Sequence, residues 1–208
     1  MNFKHIKYNA KYIQFASKMM GKTWDYDKSF ENIKNRDLFY NIFFQYSFNH
    51  SNYYDLIIDE NDKLVGLLMA GNIKNRFSIK NTVLFFNVLY QWIIGNFGRR
   101  ISAINFLYTL DKESKELMKN NKSYDHEIKL FFVDESTRGN GLGKKMMNRY
   151  IEYCKEKGIN RIILLTDAGC NYGFYDYYGF KRINEIHSNI FAKPEKEYNG
   201  YAYAYEID

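Results

Sequence analysis

The chain has 208 residues, of which 46% are hydrophobic and 26% charged. This composition is typical of a globular protein and argues against wholesale disorder, and the length favours one domain, or one domain with an insertion, around a substantial core. The net charge of +6 is compatible with a polyanionic ligand, but the basic residues are scattered, so no nucleic acid is expected as a partner. Aromatic residues reach 19%, which we attribute to codon bias in an AT-rich genome rather than to aromatic ligand binding.

The first residues of the chain and its two cysteines are used to predict the cellular compartment. Residues 1–5 contain no apolar run typical of a secretory signal, which favours a cytoplasmic location. Cys154 and Cys170 are then expected to be reduced thiols rather than a disulfide. The four histidines show no metal-ligand spacing, so no metal is expected.

The chain begins with a predicted strand and helix. Residues 3–8 alternate weakly, as a short strand does, and residues 10–20 place Ile13, Ala16 and Met20 on one side of a helix.

A second helix and a hairpin are predicted next. Asp27 or Ser29 is the candidate cap of the second helix. Residues 54–59 and 63–70 are rich in strand-forming side chains, and the tight turn at residues 60–62 between them predicts two antiparallel strands.

Residues 71–123 predict a helical insertion that shapes a cleft or an oligomer contact. Residues 82–97 are strongly apolar, but Asn87 and Gln91 interrupt them and they fall short of the roughly 20 residues that span a bilayer. We interpret them as a buried or partner-facing helix whose aromatic side chains fill the core. A substrate lid and a membrane anchor are the less favoured interpretations. Residues 111–120 predict a charged surface helix.

A glycine-rich turn lies inside a predicted strand, helix and strand. Residues 125–133 have strand character, residues 144–157 form an amphipathic helix that Gly158 ends, and residues 159–165 are a near-continuous apolar strand. Such a buried strand is typical of parallel pairing. The three elements therefore predict a βαβ unit.

The turn itself, Arg138-Gly139-Asn140-Gly141-Leu142-Gly143, is suited to bind an anion. Glycine permits positive φ and removes side chains, so consecutive N–H groups can converge on phosphate oxygens, and the dipole of the following helix adds to the attraction. Arg138 and Lys144 supply positive charge at its two ends. Taken alone, the glycine pattern is equally typical of a purely structural turn.

The last part of the chain predicts a short helix and two strands. Residues 171–178 form an aromatic helix that Gly179 ends, and residues 180–183 resume a strand. After a polar loop at residues 187–198, residues 201–207 alternate as a strand with its tyrosines on one face.

Two of these segments resemble the GNAT superfamily of N-acetyltransferases. Val133-x4-Arg138-Gly139-x-Gly141-Leu142-Gly143 is similar to its acyl-CoA-binding motif, and residues 171–180, with Tyr175-x3-Gly179-Phe180, are similar to its second signature. The motifs span residues 125–183. The resemblance implies a mixed α/β fold: a central, mostly antiparallel sheet with a parallel βαβ unit and flanking helices, in a single domain over residues 1–208. The helical insertion at 71–123 has no counterpart in a minimal member of the family.

The resemblance also implies a site for acetyl-CoA. Backbone N–H groups of the turn would hold the pyrophosphate, and the strand end would bind the pantetheine arm beside a bulge where the strand splays from its neighbour. An N–H at the strand end would also polarise the thioester carbonyl. The expected acetyl-CoA-binding residues are Phe132, Val133, Arg138, Gly139, Asn140, Gly141, Leu142, Gly143, Lys144 and Asn171. For Asn171, a simple helix cap is the alternative.

Tyr175 corresponds to a tyrosine that the family uses to protonate the departing CoA thiolate. A phenol of pKa about 10 is protonated at neutral pH, which suits a general acid. The alternative is a tyrosine that only packs. Cys170 lies near this helix without an evident histidine partner, and we interpret it as a packed thiol.

Glu127 lies six residues before Val133, where some members of the family keep a glutamate base. Strand alternation places Glu127, Lys129, Phe131 and Val133 on one face, so a carboxylate that lines the cleft would accept the amine proton through water. An exposed, solvated glutamate is the alternative. The neighbouring residues 125–126, an Asp and a His, are substitutes for the same role.

The predicted function is the direct, sequential transfer of an acetyl group from acetyl-CoA to a primary amine. Holding both reactants in one cleft would supply much of the acceleration. The alternative is a catalytically silent acyl-CoA-binding module that serves regulation or assembly. No membrane partner is expected, a homodimer stays open, and the sequence does not identify the amine.

Overall fold

The computed structural model describes residues 2–6, 10–24, 33–73, 79–98, 100–119, 124–188 and 199–207. Within these ranges the chain forms seven strands and six α-helices. The strands are β1 (Lys4–Ile6), β2 (Tyr53–Ile58), β3 (Leu64–Asn72), β4 (His126–Val133), β5 (Arg161–Asp167), β6 (Lys181–His187) and β7 (Asn199–Glu206). The helices are α1 (Ile13–Trp24), α2 (Ile33–Asn49), α3 (Ile79–Ile93), α4 (Arg100–Leu117), α5 (Leu142–Lys157) and α6 (Gly173–Tyr178).

The strands form one mixed sheet in the order β1-β2-β3-β4-β5-β7-β6. Only β4 and β5 are parallel, and α5 connects them, so the predicted βαβ unit is confirmed. The other neighbouring strands are antiparallel, including the predicted β2–β3 hairpin. The predicted fold class, a mostly antiparallel mixed sheet with one parallel unit, is therefore confirmed.

Helices cover both faces of the sheet. Helices α1 and α2 pack on one face with Leu67, Leu130 and Phe132, while α5 and α6 pack on the other with Leu68 and Ile128. Helix α5 is amphipathic as predicted, because it buries Met147, Tyr150, Ile151 and Cys154 along one side. Two hydrophobic cores therefore meet across the sheet, and both reach β4.

Helix ends follow the glycine pattern of the sequence. Gly158 takes φ 66°, and its N–H bonds the carbonyl oxygens of Cys154 and Lys155, which ends α5. Gly179 ends α6 in the same way at φ 105°. Both left-handed positions disfavour any residue with a Cβ.

The tyrosines of β7 lie on one face, as predicted. Tyr201 and Tyr203 belong to the core under α5 and α6, and Tyr205 packs against Phe180 at a ring distance of 5.0 Å. Arg182 of β6 lies 4.0 Å from the Tyr201 ring centre and donates a hydrogen bond of 2.9 Å to the Tyr203 hydroxyl. Cation–π contacts thus attach the edge strand β6 to β7.

Helix α3 departs from its prediction. The segment is helical, but Phe85, Phe86 and Tyr90 are 63%, 61% and 59% exposed, so the expectation that its aromatic side chains fill the core is wrong. Leu84 of α3 is buried. The helix packs chiefly against α2. Within the described ranges, no helix combines the length and apolar character needed to cross a bilayer.

Two sequence expectations lie outside the described residues. These are the cap of α2 at Asp27 or Ser29 and most of the polar loop predicted at residues 187–198. The start of that loop is described, because His187 ends β6 and the buried Ser188 donates a hydrogen bond of 2.8 Å to Glu113 of α4.

A buried histidine makes the stability of the fold depend on pH. His126 Nδ1 lies 2.8 Å from the Tyr150 hydroxyl, and burial lowers the pKa of His126 to about 4. The unfolded chain has the ordinary histidine pKa of about 6.5 and therefore binds more protons below that pH. We expect the free energy of unfolding to fall as pH drops from 6.5 towards 4, by at most about 1.4 kcal/mol per pH unit.

Urea unfolding at pH 7.5 and pH 5 measures this loss. A His126→Gln variant removes the titrating group and should flatten the difference, whereas a His187→Gln variant at an exposed position should keep it. An unchanged pH dependence in His126→Gln would contradict the assignment to His126.

Candidate active site

Strand β4 separates from β5 halfway along its length. The two strands pair only where residues 126–128 face residues 162–164, although β4 continues to Val133. On its other side, Met69 and Ala70 of β3 pair with Leu130 and Ile128, so Lys129 is an extra, bulged residue. The bulge and the splay implied by the family resemblance are both present. They leave one edge of β4 free beyond the bulge.

The bulge also changes which way the side chains of β4 point. Ile128 packs in the core under α5, but Leu130, two residues later, packs under α1 and α2. Glu127 therefore points to the α2 side, whereas Phe131 and Val133 join the α5 side. The expectation that Glu127, Lys129, Phe131 and Val133 share one face is wrong, because one inserted residue reverses the alternation.

A cleft of about 1550 Å³ passes through the sheet at this splay. Its α5–α6 side is lined by residues 131–133, the glycine-rich turn and α6, and its α2–α3 side is lined by α2, α3, part of α4 and Glu127. Pockets for one small ligand measure about 300–1,000 Å³. The cleft is therefore large enough for two reactants that enter from opposite faces.

The glycine-rich turn presents a row of free backbone donors. Gly139 and Gly141 take φ 86° and 68°, and Gly141 is the residue before the first turn of α5. No N–H from Gly139 to Lys144 donates a hydrogen bond within the described part of the chain, and the first to do so is Lys145, to the Gly141 carbonyl at 3.0 Å. Six consecutive N–H groups at a helix start suit the oxygens of a phosphate.

The side chains of the turn supply positive charge and hold the shape of the turn. Arg138 and Lys144 are exposed, and Arg138 also pairs with Glu135 at 3.0 Å. Asn140 is held by its side chain, which donates a hydrogen bond of 2.9 Å to the Thr137 carbonyl. The turn is therefore fixed in shape and positively charged.

Gly143 is required for a different reason from the other two glycines. Its φ is not positive, but an added Cβ would lie 3.3 Å from the Phe174 ring and 3.5 Å from the Phe131 ring. This glycine therefore lets α5 approach β4 and α6 closely. Leu142, its neighbour, is buried beneath the turn.

Tyr175 lies at the cleft with its ring enclosed. It is 9% exposed, and its ring centre lies 5.6–6.4 Å from those of four aromatic rings. These rings belong to Phe131, Phe174, Phe180 and Tyr203. Burial raises the pKa of the phenol, and the nearby Cys170 and Asp167 raise it further. The phenol is therefore a neutral donor, and its hydroxyl has no hydrogen-bond partner in the described ranges.

Asp167, Cys170 and Asn171 lie between β5 and α6 and also line the cleft. Burial raises the pKa of Asp167, although it accepts hydrogen bonds from the Gly169 N–H at 2.7 Å and the Cys170 thiol at 3.5 Å. Both cysteines are free thiols. Asn171 is exposed and does not cap α6, because Tyr172 occupies the cap position without a side-chain bond.

Glu127 lies on the α2 side, paired with the ammonium group of Lys129. Its neighbour across the strands is Gly71, where an added Cβ would lie 1.8 Å from the His50 carbonyl oxygen. The turn after α2 therefore crosses directly beside Glu127. His50 Nδ1 donates to the Tyr46 carbonyl at 2.8 Å, so its Nε2 accepts from the Asn81 amide at 3.1 Å.

His50 and Asn81 were not predicted as site residues. Their positions depend on contacts between distant parts of the chain, and no local pattern marks them. The proposed substitutes for Glu127 lie elsewhere: His126 points to the α5 side against Tyr150, and Asp125 accepts two backbone hydrogen bonds of 3.1 Å at the start of β5.

Comparison with known families decides what this arrangement is. The model of the acetyltransferase (GNAT) family matches residues 22–180, well over half of the chain. The chain belongs to the GNAT acetyltransferase family. This GNAT protein is an acyltransferase, and the co-substrate of its family is acetyl-CoA.

Solved structures share the GNAT fold. Arylalkylamine N-acetyltransferase 2 from Aedes aegypti aligns with a TM-score of 0.62 at 17% identity, over 100% of both chains. A GNAT acetyltransferase from Staphylococcus aureus aligns with a TM-score of 0.54 at 19% identity, again over 100% of both chains. At these identities the likeness concerns the fold. A search of curated protein sequences gives no match.

Proposed function

We propose that this GNAT protein is an N-acetyltransferase that transfers the acetyl group of acetyl-CoA directly to a primary amine. The observation that carries the proposal is one cleft lined by the phosphate-type turn, the free edge of β4, Tyr175 and, from the opposite face, Glu127. Two reactants held in one cleft react without a covalent enzyme intermediate. We also propose a single domain over residues 1–208, with α3 and α4 as its insertion.

The proposed acetyl-CoA site combines the turn and the strand edge. The N–H groups of residues 139–144, with Arg138 and Lys144, bind the pyrophosphate. The pantetheine arm binds main-chain groups of Phe132 and Val133 that point away from β3. It lies along the edge of β4 where β5 no longer pairs. Asn171 is free to contact the arm because it does not cap α6. An N–H beyond the bulge polarises the thioester carbonyl.

Tyr175 is the proposed group that assists the leaving thiolate. An ordinary thiol has a pKa of about 8.5, below that of a buried phenol, so Tyr175 keeps its proton and donates a hydrogen bond to the sulfur. The donor is available because the hydroxyl has no partner within the described residues. Asp167 beside it opposes formation of a phenolate.

Glu127 is the proposed base. A primary amine is mostly protonated at neutral pH and must lose a proton before it attacks the thioester. Glu127 faces the α2 side of the cleft, from which an acceptor enters, and an arriving ammonium group competes with Lys129 for its carboxylate. Glu127 therefore both attracts the acceptor and takes its proton, directly or through water.

The test is a panel of primary amines incubated with acetyl-CoA, with free thiol as the readout and mass spectrometry of the acetylated product. Calorimetry measures acetyl-CoA affinity separately. Thiol release that requires an amine supports the proposal. Tight acetyl-CoA binding with no turnover on any amine would overturn it in favour of the silent acyl-CoA-binding module.

A Glu127→Gln variant tests the base. We expect kcat/KM to fall by about 10²-fold at neutral pH, as for loss of a general base. The loss should shrink as the pH approaches the pKa of the amine, because the free amine then needs no base. A Glu156→Gln variant on the exposed side of α5 should retain full activity. An equal loss at every pH would mean that Glu127 binds the acceptor without taking its proton.

A further inference from the structure

We propose that the acceptor is a primary amine attached to an apolar body, an alkyl chain or an aromatic ring, which packs between α2 and α3. This inference rests on the proposed transfer to an amine and identifies the class of amine. Its basis is the wall of the cleft on the α2–α3 side, where described apolar side chains remain exposed and Glu127 is the carboxylate beside the splay of β4.

Helix α3 has two apolar faces that differ in what they line. One face lines the cleft, and the other points away from it. The face that lines the cleft carries Leu84, Phe85, Val88, Leu89 and Trp92. The outer face carries Val83, Phe86, Tyr90 and Ile93, none of which lines the cleft. Adjacent residues on α3 therefore have different surroundings despite similar exposure.

Within the described ranges, apolar side chains inside the cleft remain exposed. Phe85 is 63% exposed, Tyr46 of α2 is 49% exposed and Leu89 is 37% exposed, and all three line the cleft. Phe39 and Phe43 of α2 continue this wall towards the sheet. An apolar ligand that covers this surface removes it from water, which a polar ligand of the same size does not achieve.

Several polar side chains described on the same wall have partners within the protein, whereas the buried Asn81 Oδ1 has none. The His50 ring bonds the Tyr46 carbonyl and the Asn81 amide. On α4, Asp111 pairs with Lys115 at 2.5 Å, and Glu113 accepts the Ser188 hydroxyl at 2.8 Å.

A polyamine or an aminosugar needs several available carboxylates or hydroxyl partners. Glu127 is also paired, with Lys129, but it lies beside the splay of β4, where the thioester is proposed to lie. Its position there places one ammonium group next to the thioester. The arrangement thus favours a single charged end at the splay and an apolar body along α2 and α3.

The first experiment compares amines that differ in body but share a primary amino group. Hexylamine and 2-phenylethylamine represent the apolar class, while ethanolamine, glucosamine and spermidine represent the polar class. We expect kcat/KM to be at least about tenfold higher for the apolar amines, since each methylene accepted by an apolar pocket is worth about 10- to 200-fold. Equal or higher values for the polar amines would overturn the inference.

The second experiment uses two exposed aromatic residues of α3 as test and control. Phe85→Ala should raise the KM for 2-phenylethylamine about tenfold and leave the affinity for acetyl-CoA unchanged. Tyr90→Ala removes a similarly exposed ring of the outer face that does not line the cleft, so both quantities should stay unchanged. Phe86 is not used as the control because its ring packs against that of Phe85 at 5.8 Å. Similar effects of the two variants on KM would overturn the inference.

The outcomes separate this inference from the proposed function. If no amine of any class is acetylated, the transfer itself is wrong. If polar amines are acetylated as well as apolar ones, the transfer stands and the apolar acceptor is wrong. Sedimentation tests whether a second copy of the chain covers the apolar wall instead of a substrate. A dimer that Phe85→Ala converts to a monomer, with the KM for the amine unchanged, would also overturn the inference.

Discussion

Replacing Tyr175 by Phe is expected to lower kcat by about 10²- to 10⁴-fold and to leave the affinity for acetyl-CoA unchanged. The ring keeps its contacts with the four surrounding aromatic rings, and the lost hydroxyl has no hydrogen-bond partner within the described residues. The melting temperature should therefore stay the same. Single-turnover thiol release, calorimetry with acetyl-CoA and thermal unfolding measure the three quantities.

The pH dependence of this variant distinguishes a hydrogen-bond donor from a titrating acid. Because burial raises the pKa of Tyr175, the phenol is protonated throughout an assay from pH 6 to pH 9, and the loss in kcat should be the same at each pH. Tyr178→Phe is the matched control on α6, since this tyrosine bonds Asn148 at 2.8 Å and does not line the cleft. Unchanged turnover in Tyr175→Phe would remove Tyr175 from the mechanism.

The second large effect is expected from Gly71→Ala. An added Cβ would lie 1.8 Å from the His50 carbonyl oxygen and 2.8 Å from the Ser51 Cα, which are backbone atoms that no change of rotamer can move. Overpacking of this kind costs about 1–3 kcal/mol and sometimes more. We expect the urea midpoint to fall accordingly.

The same substitution should also disturb the site, because the displaced turn carries His50 away from Glu127. The KM for the amine should rise more than the KM for acetyl-CoA, whose proposed site lies on the other face of the sheet. Gly173→Ala is the control for stability, since its Cβ would meet only the Asn171 side chain, at 4.0 Å. A Gly71→Ala variant as stable as the native protein would contradict the close approach of the His50 and Ser51 backbone to Gly71.

The sequence by itself determined the elements whose signals are local. The βαβ unit, the glycine ends of α5 and α6, and the one-sided tyrosines of β7 all follow from side-chain periodicity and from residues that tolerate positive φ. The free N–H groups of residues 139–144 are local in the same sense, because such groups at a helix start depend only on that turn and helix. Anion binding by this turn and the role of Tyr175, which the spacing of its motif indicates, stay predictions.

Only the tertiary structure decided what the cleft looks like. The bulge at Lys129 arises from the register between β3 and β4, so strand alternation alone placed Glu127 on the wrong face relative to Phe131. The turn over Gly71 and the outward aromatic face of α3 likewise depend on how α2 and α3 pack. Pairing register and helix packing are contacts between distant residues, whereas periodicity reports on neighbours. The α2–α3 side of the cleft, which is the proposed acceptor side, is built almost entirely from such distant contacts.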